Sequence, residues 1–150
     1  MLFRSERALT TYTATEALDV GAVLQSKDPP ATVLTALFVA AARHYTRDEV
    51  RRGCMVTEAM RADDPQAAAL ATEMAVPGSE VIRAYLAKHA AAKDVEGITD
   101  YVLLNLRGLS SYACLGYSQA KLVECSKIAG HALDARFKPD SRPKSRSPAR

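Results

Sequence analysis

The sequence is poor in cysteine and has no long apolar run. Its three cysteines, Cys54, Cys114 and Cys125, are odd in number and form no CxxC pair, which fits a reducing, cytoplasmic compartment better than a disulfide framework. The longest apolar stretch, residues 31–42, contains two threonines and is shorter than the roughly 18 residues that a membrane span requires. The first six residues carry early charges and no continuous apolar segment. We therefore expect neither a membrane helix nor a signal peptide.

Over most of the chain, neither positive nor negative charge is in large excess. The net charge is +3, but residues 136–150 contain six basic residues and one acid, so the rest carries a net charge of −2. Such a body offers no broad positive surface for phosphates, and nucleic-acid affinity could come only from the tail. The tail is rich in Lys, Arg, Ser and Pro, which favours disorder. We predict a folded domain over residues 1–134 and a basic disordered tail over residues 135–150.

Glycine and proline are sparse, and apolar residues recur at helical spacing, which predicts an all-α fold of about six helices. Ser5, Asp64 and Ser118 are candidate N-caps, and Pro30 and Pro65 suit a first helical position. Pro77 either kinks one long helix or separates two. The predicted helices cover about 5–25, 30–46, 47–61, 65–93 with this interruption, 97–115 and 118–133.

Arrangements that support catalysis or cofactor binding are missing. The three histidines, His44, His89 and His131, form no HxxxH or HExxH pattern, so we predict no metal site. No glycine-rich phosphate loop and no G-x-S-x-G nucleophile motif is present. Cys54 is the nearest candidate nucleophile, and we interpret it as a packed core residue. We therefore predict a protein that is not an enzyme and uses no cofactor.

Two segments resemble a known family. Phe3, Ser5 and Leu9 fit the F-x-S-K-E-x-L pattern that ends the DNA-binding part of TetR/AcrR-family transcriptional regulators, although Glu6 and Arg7 reverse its two charges. Residues 52–60, which begin Arg-Gly-Cys, resemble an R-G-C-L stretch in the regulatory domains of one TetR subgroup. The order of the following helices is also similar, and the resemblance spans about residues 3–133.

The resemblance implies the C-terminal effector-binding and dimerisation domain of a TetR-like regulator, folded as a multi-helix bundle. In that family a helix-turn-helix module precedes the F-x-S-K pattern, so we expect this chain to lack its DNA reader and to bind no operator by itself. The expected partners are a second copy of the chain and a small apolar effector. The helix that begins near Ser5 would transmit effector binding to the DNA reader.

Candidate site residues follow from the resemblance and from side-chain chemistry. Ligand pockets are mostly apolar with a few polar groups, and Glu58 could hold a cationic group. The predicted ligand-binding residues are Phe38, Tyr45, Met55, Glu58, Met60, Tyr85, Tyr101 and Asn105. Core filling by the same residues remains an alternative.

The predicted dimer surface lies on the last two helices. The helix over residues 97–115 is apolar around most of its circumference and so needs a partner on both sides. The predicted dimer contacts are Val102, Leu106, Leu109, Ala113, Leu122 and Leu133. Two other functions stay open, a small helical redox enzyme that depends on Cys54 and a helical interaction protein without a ligand.

Overall fold

The computed structural model describes residues 2–137, which form seven α-helices and no β-strand. This confirms the predicted all-α class. The helices are α1 (Leu2–Thr15), α2 (Val20–Leu24), α3 (Pro30–Tyr45), α4 (Met55–Ala59), α5 (Pro65–His89), α6 (Val95–Cys114) and α7 (Gln119–Phe137), and a short 3-10 helix (Ala92–Asp94) precedes α6. None of these helices is long and apolar enough to cross a membrane. The predicted tail falls almost entirely on residues 138–150, outside the described residues.

Local sequence signals account for several helix starts. Pro30 and Pro65 occupy first-turn positions of α3 and α5, where the missing N–H would have no helical partner. The Asp64 side chain caps α5 by accepting from the Gln66 N–H at 3.0 Å. The Ser118 hydroxyl accepts from the Lys121 N–H at 3.3 Å at the start of α7. These predictions of helix starts are confirmed.

Two predicted helices have different boundaries. The stretch predicted as one helix over 5–25 is divided into α1 and α2, because the Asp19 side chain accepts from the Ala22 N–H at 2.9 Å and caps a new helix there. Ser5 therefore lies within α1 and is not its N-cap. The stretch predicted as a helix over 47–61 is helical only in α4. Asp48 accepts two backbone N–H groups at 2.8 and 3.0 Å, which favours a turn over a helix.

Pro77 does not interrupt its helix. α5 is continuous from Pro65 to His89, so Pro77 lies inside one long helix. A proline at that position removes one backbone hydrogen bond and crowds the preceding turn. The Ser79 hydroxyl donates to the Ala75 carbonyl at 3.1 Å in the same region. The turn of α5 that contains Pro77 also borders a cavity.

The main core is built around α3. Half of its side chains are buried, and Leu34, Leu37, Phe38 and Ala41 have no measurable exposure. α3 packs against α7 and α6, and the second half of α5 contributes Ile82 and Leu86. A smaller second cluster joins α1, α4 and the first half of α5, through Leu9, Tyr12, Val56 and Ala71.

The residues predicted as dimer contacts lie inside this core. All six are at most 8% exposed in the single chain. A second chain cannot reach them while the protomer stays folded, so this placement of the dimer surface is wrong. The apolar pattern of α6 and α7 indicates which residues are buried. Periodicity does not distinguish burial within one chain from burial between two chains. The exposed apolar side chains of the same helices are Leu104, Tyr112, Leu115 and Ile128.

One glycine sets the separation of α3 and α7. A Cβ atom on Gly130 would lie 2.1 Å from Oγ1 and 2.9 Å from Cβ of Thr35. The Thr35 hydroxyl donates to the Ala31 carbonyl at 2.7 Å, which fixes its rotamer. Because the clash reaches the Thr35 Cβ itself, rotation of that side chain cannot relieve it. α7 approaches α3 this closely only with glycine at position 130.

We predict that Gly130→Ala lowers the free energy of unfolding by about 1–3 kcal/mol, because it overpacks the contact between α3 and α7. Gly78→Ala is the matched control, since a Cβ atom there would meet nothing within 4 Å. The control should stabilise the chain by about 0.5–1 kcal/mol through helix propensity. Urea denaturation measures both changes, and equal effects of the two variants would contradict the close contact.

Candidate functional site

A cavity of about 590 Å³ lies between the small second cluster and the main core. Its walls come from the end of α1, the link to α2, α4, the middle of α5 and the outer part of α6. Apolar side chains make up much of the lining, among them Leu18, Val56, Met60, Met74, Ile82 and Leu103. A volume of this size suits a small organic molecule.

The cavity adjoins the part of α5 that contains Pro77. Pro77, Gly78 and Ser79 all line it, and no atom lies within 4 Å of the position where a Gly78 Cβ would be. Small side chains on this turn leave space that larger ones would fill. The cavity therefore results from the sequence of one helix turn together with the separation of the two clusters.

Two buried tyrosines and a cysteine are among the polar residues of this lining. Tyr12 and Tyr45 are each only 6% exposed, and the half-buried Cys54 lies beside them. Burial, followed by the nearby Cys54 thiol, raises the pKa of both tyrosines above the ordinary value. The two phenols are therefore protonated at neutral pH and can donate hydrogen bonds.

The segment Arg52–Cys54, which we call the clamp, attaches α4 to α6. The Arg52 guanidinium donates to the Ala113 carbonyl at 2.7 Å and also to the Tyr117 carbonyl. The Ala113 carbonyl lies in the last turn of α6 and also accepts from the Gly116 N–H at 3.0 Å, so the guanidinium adds a second hydrogen bond to it. The Cys54 N–H donates to the Ser110 hydroxyl at 2.8 Å. The clamp thus attaches the loop before α4 to the end of α6 and places Cys54 at the cavity.

Gly53 is required within the clamp for two reasons. Its φ of +80° lies in the left-handed region that side chains disfavour. A Cβ atom there would also lie 2.5 Å from Sγ of Cys114 and 3.0 Å from the Ser110 carbonyl oxygen. The Arg-Gly-Cys segment is therefore explained by its structural role in joining the loop after α3 to α6.

Glu58 has partners within the protein. Its Oε1 accepts from the Ser110 hydroxyl at 2.8 Å, and its other oxygen is paired with Arg61. Arg61 also donates to the Ser111 hydroxyl at 2.9 Å. This carboxylate is absent from the lining of the cavity. The structure therefore gives Glu58 a role in joining α4 to α6, and its binding of a cationic group remains a prediction.

Of the eight residues predicted to bind a ligand, Tyr45 and Met60 line the cavity. Met55 is 43% exposed and faces a separate open groove beside α1. Tyr85 is stacked on His89, with ring centroids 4.4 Å apart. Of these four residues, Tyr45 and Met60 share the cavity, whereas Met55 and Tyr85 lie elsewhere.

Three further residues of the predicted ligand site, Phe38, Tyr101 and Asn105, form a packed group at α3, α6 and α7. Phe38 is fully buried and meets the Tyr101 ring edge-on at a centroid distance of 6.4 Å. The Tyr101 hydroxyl donates to the Ala129 carbonyl at 2.8 Å, and the Asn105 amide donates to the Tyr101 carbonyl at the same distance. Tyr101 also borders a different cavity of about 370 Å³ near the end of α7.

Sequence reasoning missed Tyr12, Met74 and Ile82 as cavity residues. Tyr12 and Leu9 lie three positions apart on α1, which is the spacing of one helix face, and that signal marks them as buried. The spacing does not reveal that the covering elements stop short of closing the core. The sequence marks Pro77 as an interruption, but its position beside a cavity depends on tertiary packing.

Metal binding and thiol chemistry find little support in the described residues 2–137. They contain no group of three or more His, Cys, Asp or Glu side chains arranged to hold a metal ion. Burial is the first cause that raises the pKa of the Cys114 thiol, and the Glu58 carboxylate is the second. A raised pKa makes this thiol less reactive at neutral pH.

The chain is similar in sequence to a known transcriptional repressor. The HTH-type transcriptional repressor BdcR of Escherichia coli (strain K12) is 30% identical to the chain over 127 residues. The similarity covers 85% of this chain, and the chain spans 64% of the length of that relative. No protein-family profile matches the chain, and no solved structure is significantly similar to it. The chain is thus similar, over most of its length, to part of a transcriptional repressor.

We predict that Arg52→Met lowers the free energy of unfolding by about 1.5–3 kcal/mol, because it removes charge-assisted hydrogen bonds to two carbonyls. Arg51→Met is the matched control, since Arg51 is 69% exposed and pairs only with surface carboxylates. That change should cost about 0–1 kcal/mol. Chemical denaturation of both variants tests the clamp, and a cost for Arg52→Met no larger than that of the control would show that it contributes little.

Proposed function

We propose that this chain is the effector-binding and dimerising part of a TetR-like transcriptional repressor. The observation that carries the proposal is the similarity to a repressor in a chain whose apolar cavity is walled by α1. In the family that the chain resembles, the helix at this position joins the effector site to the DNA reader. A molecule in the cavity would contact this helix directly.

The contacts that attach α1 to the rest of the chain suit a helix that shifts when a ligand binds. α1 contributes Leu9 and Tyr12 to the small second cluster, in which four of the side chains that the structure describes are buried. At the end of α1, Glu16 pairs with Arg47 at 3.3 Å and with Arg51 at 3.5 Å, and these ion pairs are exposed and therefore weak. Elements with few buried contacts open at low free-energy cost. Ligand binding could shift α1 without disturbing the core around α3.

Dimerisation would use the outer faces of α6 and α7. Leu104 and Tyr112 on α6 are 69% and 48% exposed, Leu115 directly after its last residue is 72% exposed, and Ile128 on α7 is 64% exposed. Single exposed apolar residues are ordinary, but a row of them along one helix marks an interaction surface. We propose this row, together with Ile128, as the contact with a second copy.

DNA binding and location complete the proposal. We propose that specific DNA recognition uses a helix-turn-helix module of the kind that the resembled family carries. The chain itself is proposed to catalyse no reaction. Its cytoplasmic location stays a prediction from the sequence.

One alternative has a specific observation in its favour. The exposed apolar row on α6 would serve a helical interaction protein that binds no small molecule. Such a protein would dimerise or bind a partner protein but would be indifferent to every small ligand. The two experiments below separate these functions.

The first experiment tests the cavity. A panel of small apolar compounds is screened by thermal shift against the chain, and a subset should raise its melting temperature. A ligand at about 100 times its Kd stabilises the folded state by about 2.7 kcal/mol. Met60→Trp should abolish the shift, because the indole would occupy the cavity that Met60 lines.

Met55→Trp is the matched control for this test. Met55 is the first residue of α4, and Met60 directly follows the same helix, but Met55 lines the outer groove and not the cavity. The control should keep the full ligand-induced shift. Loss of the shift in Met55→Trp alone would move the site to the groove, and a chain that no compound stabilises would favour the alternative.

The second experiment tests the dimer surface by light scattering on the eluting protein. The chain should have twice its 16.2 kDa mass, and Leu104→Glu combined with Ile128→Glu should reduce this to one chain. Burying two carboxylates from each chain in an apolar interface is costly, so the variant should dissociate. Val50→Glu is the control, because Val50 is 91% exposed in the loop after α3. A double variant that remains a dimer would place the interface elsewhere.

A further inference from the structure

Tyr12 lines the cavity, but its hydroxyl oxygen is closed off from solvent, so a ligand atom would reach it only after a small shift of the neighbouring side chains. The hydroxyl has no hydrogen-bond partner of normal geometry among the described residues. The Cys54 thiol and the Met55 backbone lie beside it, but a thiol is a weak partner and a backbone N–H can only donate to the phenol oxygen, so the phenol proton lacks a strong acceptor. Within the same residues, Nε2 of His44 is the other buried side-chain atom in this state. Buried polar groups are nearly always paired, so this hydroxyl requires an explanation.

Its surroundings suggest what would pair with it. Tyr12, Tyr45 and Cys54 all line the cavity, and their polar atoms are close enough for each to influence the ionisation of another. Both phenols keep their protons at neutral pH, so this side of the cavity offers hydrogen-bond donors. Apolar side chains make up most of the remaining lining, although Thr57 and Ser79 also belong to it. A molecule in the cavity would meet the phenol donors beside Tyr12 and largely apolar side chains elsewhere.

Charged ligand groups find no buried counter-ion here. The charged residues of the lining are Asp19 and Arg107, and both are exposed. Asp19 already accepts a hydrogen bond from the Ala22 N–H as the cap of α2. An isolated charge is expensive to bury, whereas a neutral acceptor needs only a donor. The geometry thus disfavours carboxylates and ammonium groups inside the cavity.

We propose that the ligand of this cavity is an uncharged, largely apolar molecule with a hydrogen-bond acceptor, such as a carbonyl oxygen, that pairs with the Tyr12 hydroxyl. The inference rests on the proposed function, because it takes the cavity to be the effector site. Since Tyr12 belongs to α1, the acceptor would tie the ligand to the helix that transmits binding. A molecule of the same shape without an acceptor would leave the hydroxyl unpaired.

The first test needs no ligand. Tyr12→Phe should leave the melting temperature of the free chain unchanged or raise it, because the variant removes an unpaired buried hydroxyl. Tyr101→Phe is the matched control and should lower the melting temperature, since the Tyr101 hydroxyl donates to the Ala129 carbonyl at 2.8 Å. A fall for Tyr12→Phe as large as that for the control would show that the hydroxyl is paired within the protein. That result would overturn the inference and leave effector binding unaffected.

The second test uses probes of similar shape and different polarity. Benzophenone carries a carbonyl group, diphenylmethane has a methylene group in its place, and diphenylacetate adds a negative charge. Their affinities for the chain and for Tyr12→Phe are measured by calorimetry. The ratio of the benzophenone affinity to the diphenylmethane affinity should fall by about 3- to 10-fold in the variant, the equivalent of one neutral hydrogen bond. Diphenylacetate should bind the unmodified chain most weakly.

The outcomes separate the inference from the proposed function. An affinity ratio that is the same in both chains would overturn the role of Tyr12, while binding itself would still support a ligand cavity. Tightest binding of diphenylacetate would overturn the exclusion of charged groups. Failure of all three probes to bind either chain would contradict both the inference and the cavity as an effector site.

Discussion

The burial of α3 between α6 and α7 is the constraint on which the rest of the structure depends. Half of its side chains are buried, and Gly130 lets α7 approach within contact of Thr35. A helix with this many buried apolar residues must be covered by other elements, so α3 determines where α6 and α7 lie. α5 completes the shell with its second half only. Its first half extends beyond the main core, where α1 and α4 cover it.

This division into a large and a small cluster produces the cavity. The clamp attaches α4 to the end of α6 through Arg52 and the Cys54 N–H, while Gly53 permits the close approach to Ser110 and Cys114. α4 is thereby held near α5 without filling the space beside Pro77 and Gly78. The clamp fixes the position of α4, and that position leaves the cavity unfilled. A site of this kind can be rigid on the α6 side and yielding on the α1 side.

The polarity of the cavity then limits its chemistry. Two protonated phenols and a thiol lie in a largely apolar lining, and the charged residues of the lining are at the surface. Binding of a neutral molecule is compatible with these groups, whereas Cys114, with its raised pKa, is poorly suited to act as a nucleophile. The proposal of a sensing domain agrees with the similarity to a repressor over most of the chain. Catalysis by Cys54 has no specific observation in its support.

The sequence by itself determined the all-α class, the caps at Asp64 and Ser118, and the proline starts of α3 and α5, because these depend on neighbours within one turn. It indicated the segment 52–60 as distinctive, but the reason lies in α6, more than 50 residues away. Tertiary structure alone decided that Val102 and Leu133 face the protomer's own core and that Tyr12 borders a cavity while Tyr101 does not share it. Periodicity shows which face of a helix is buried. It contains no information on what covers that face, or on whether the covering elements leave a space.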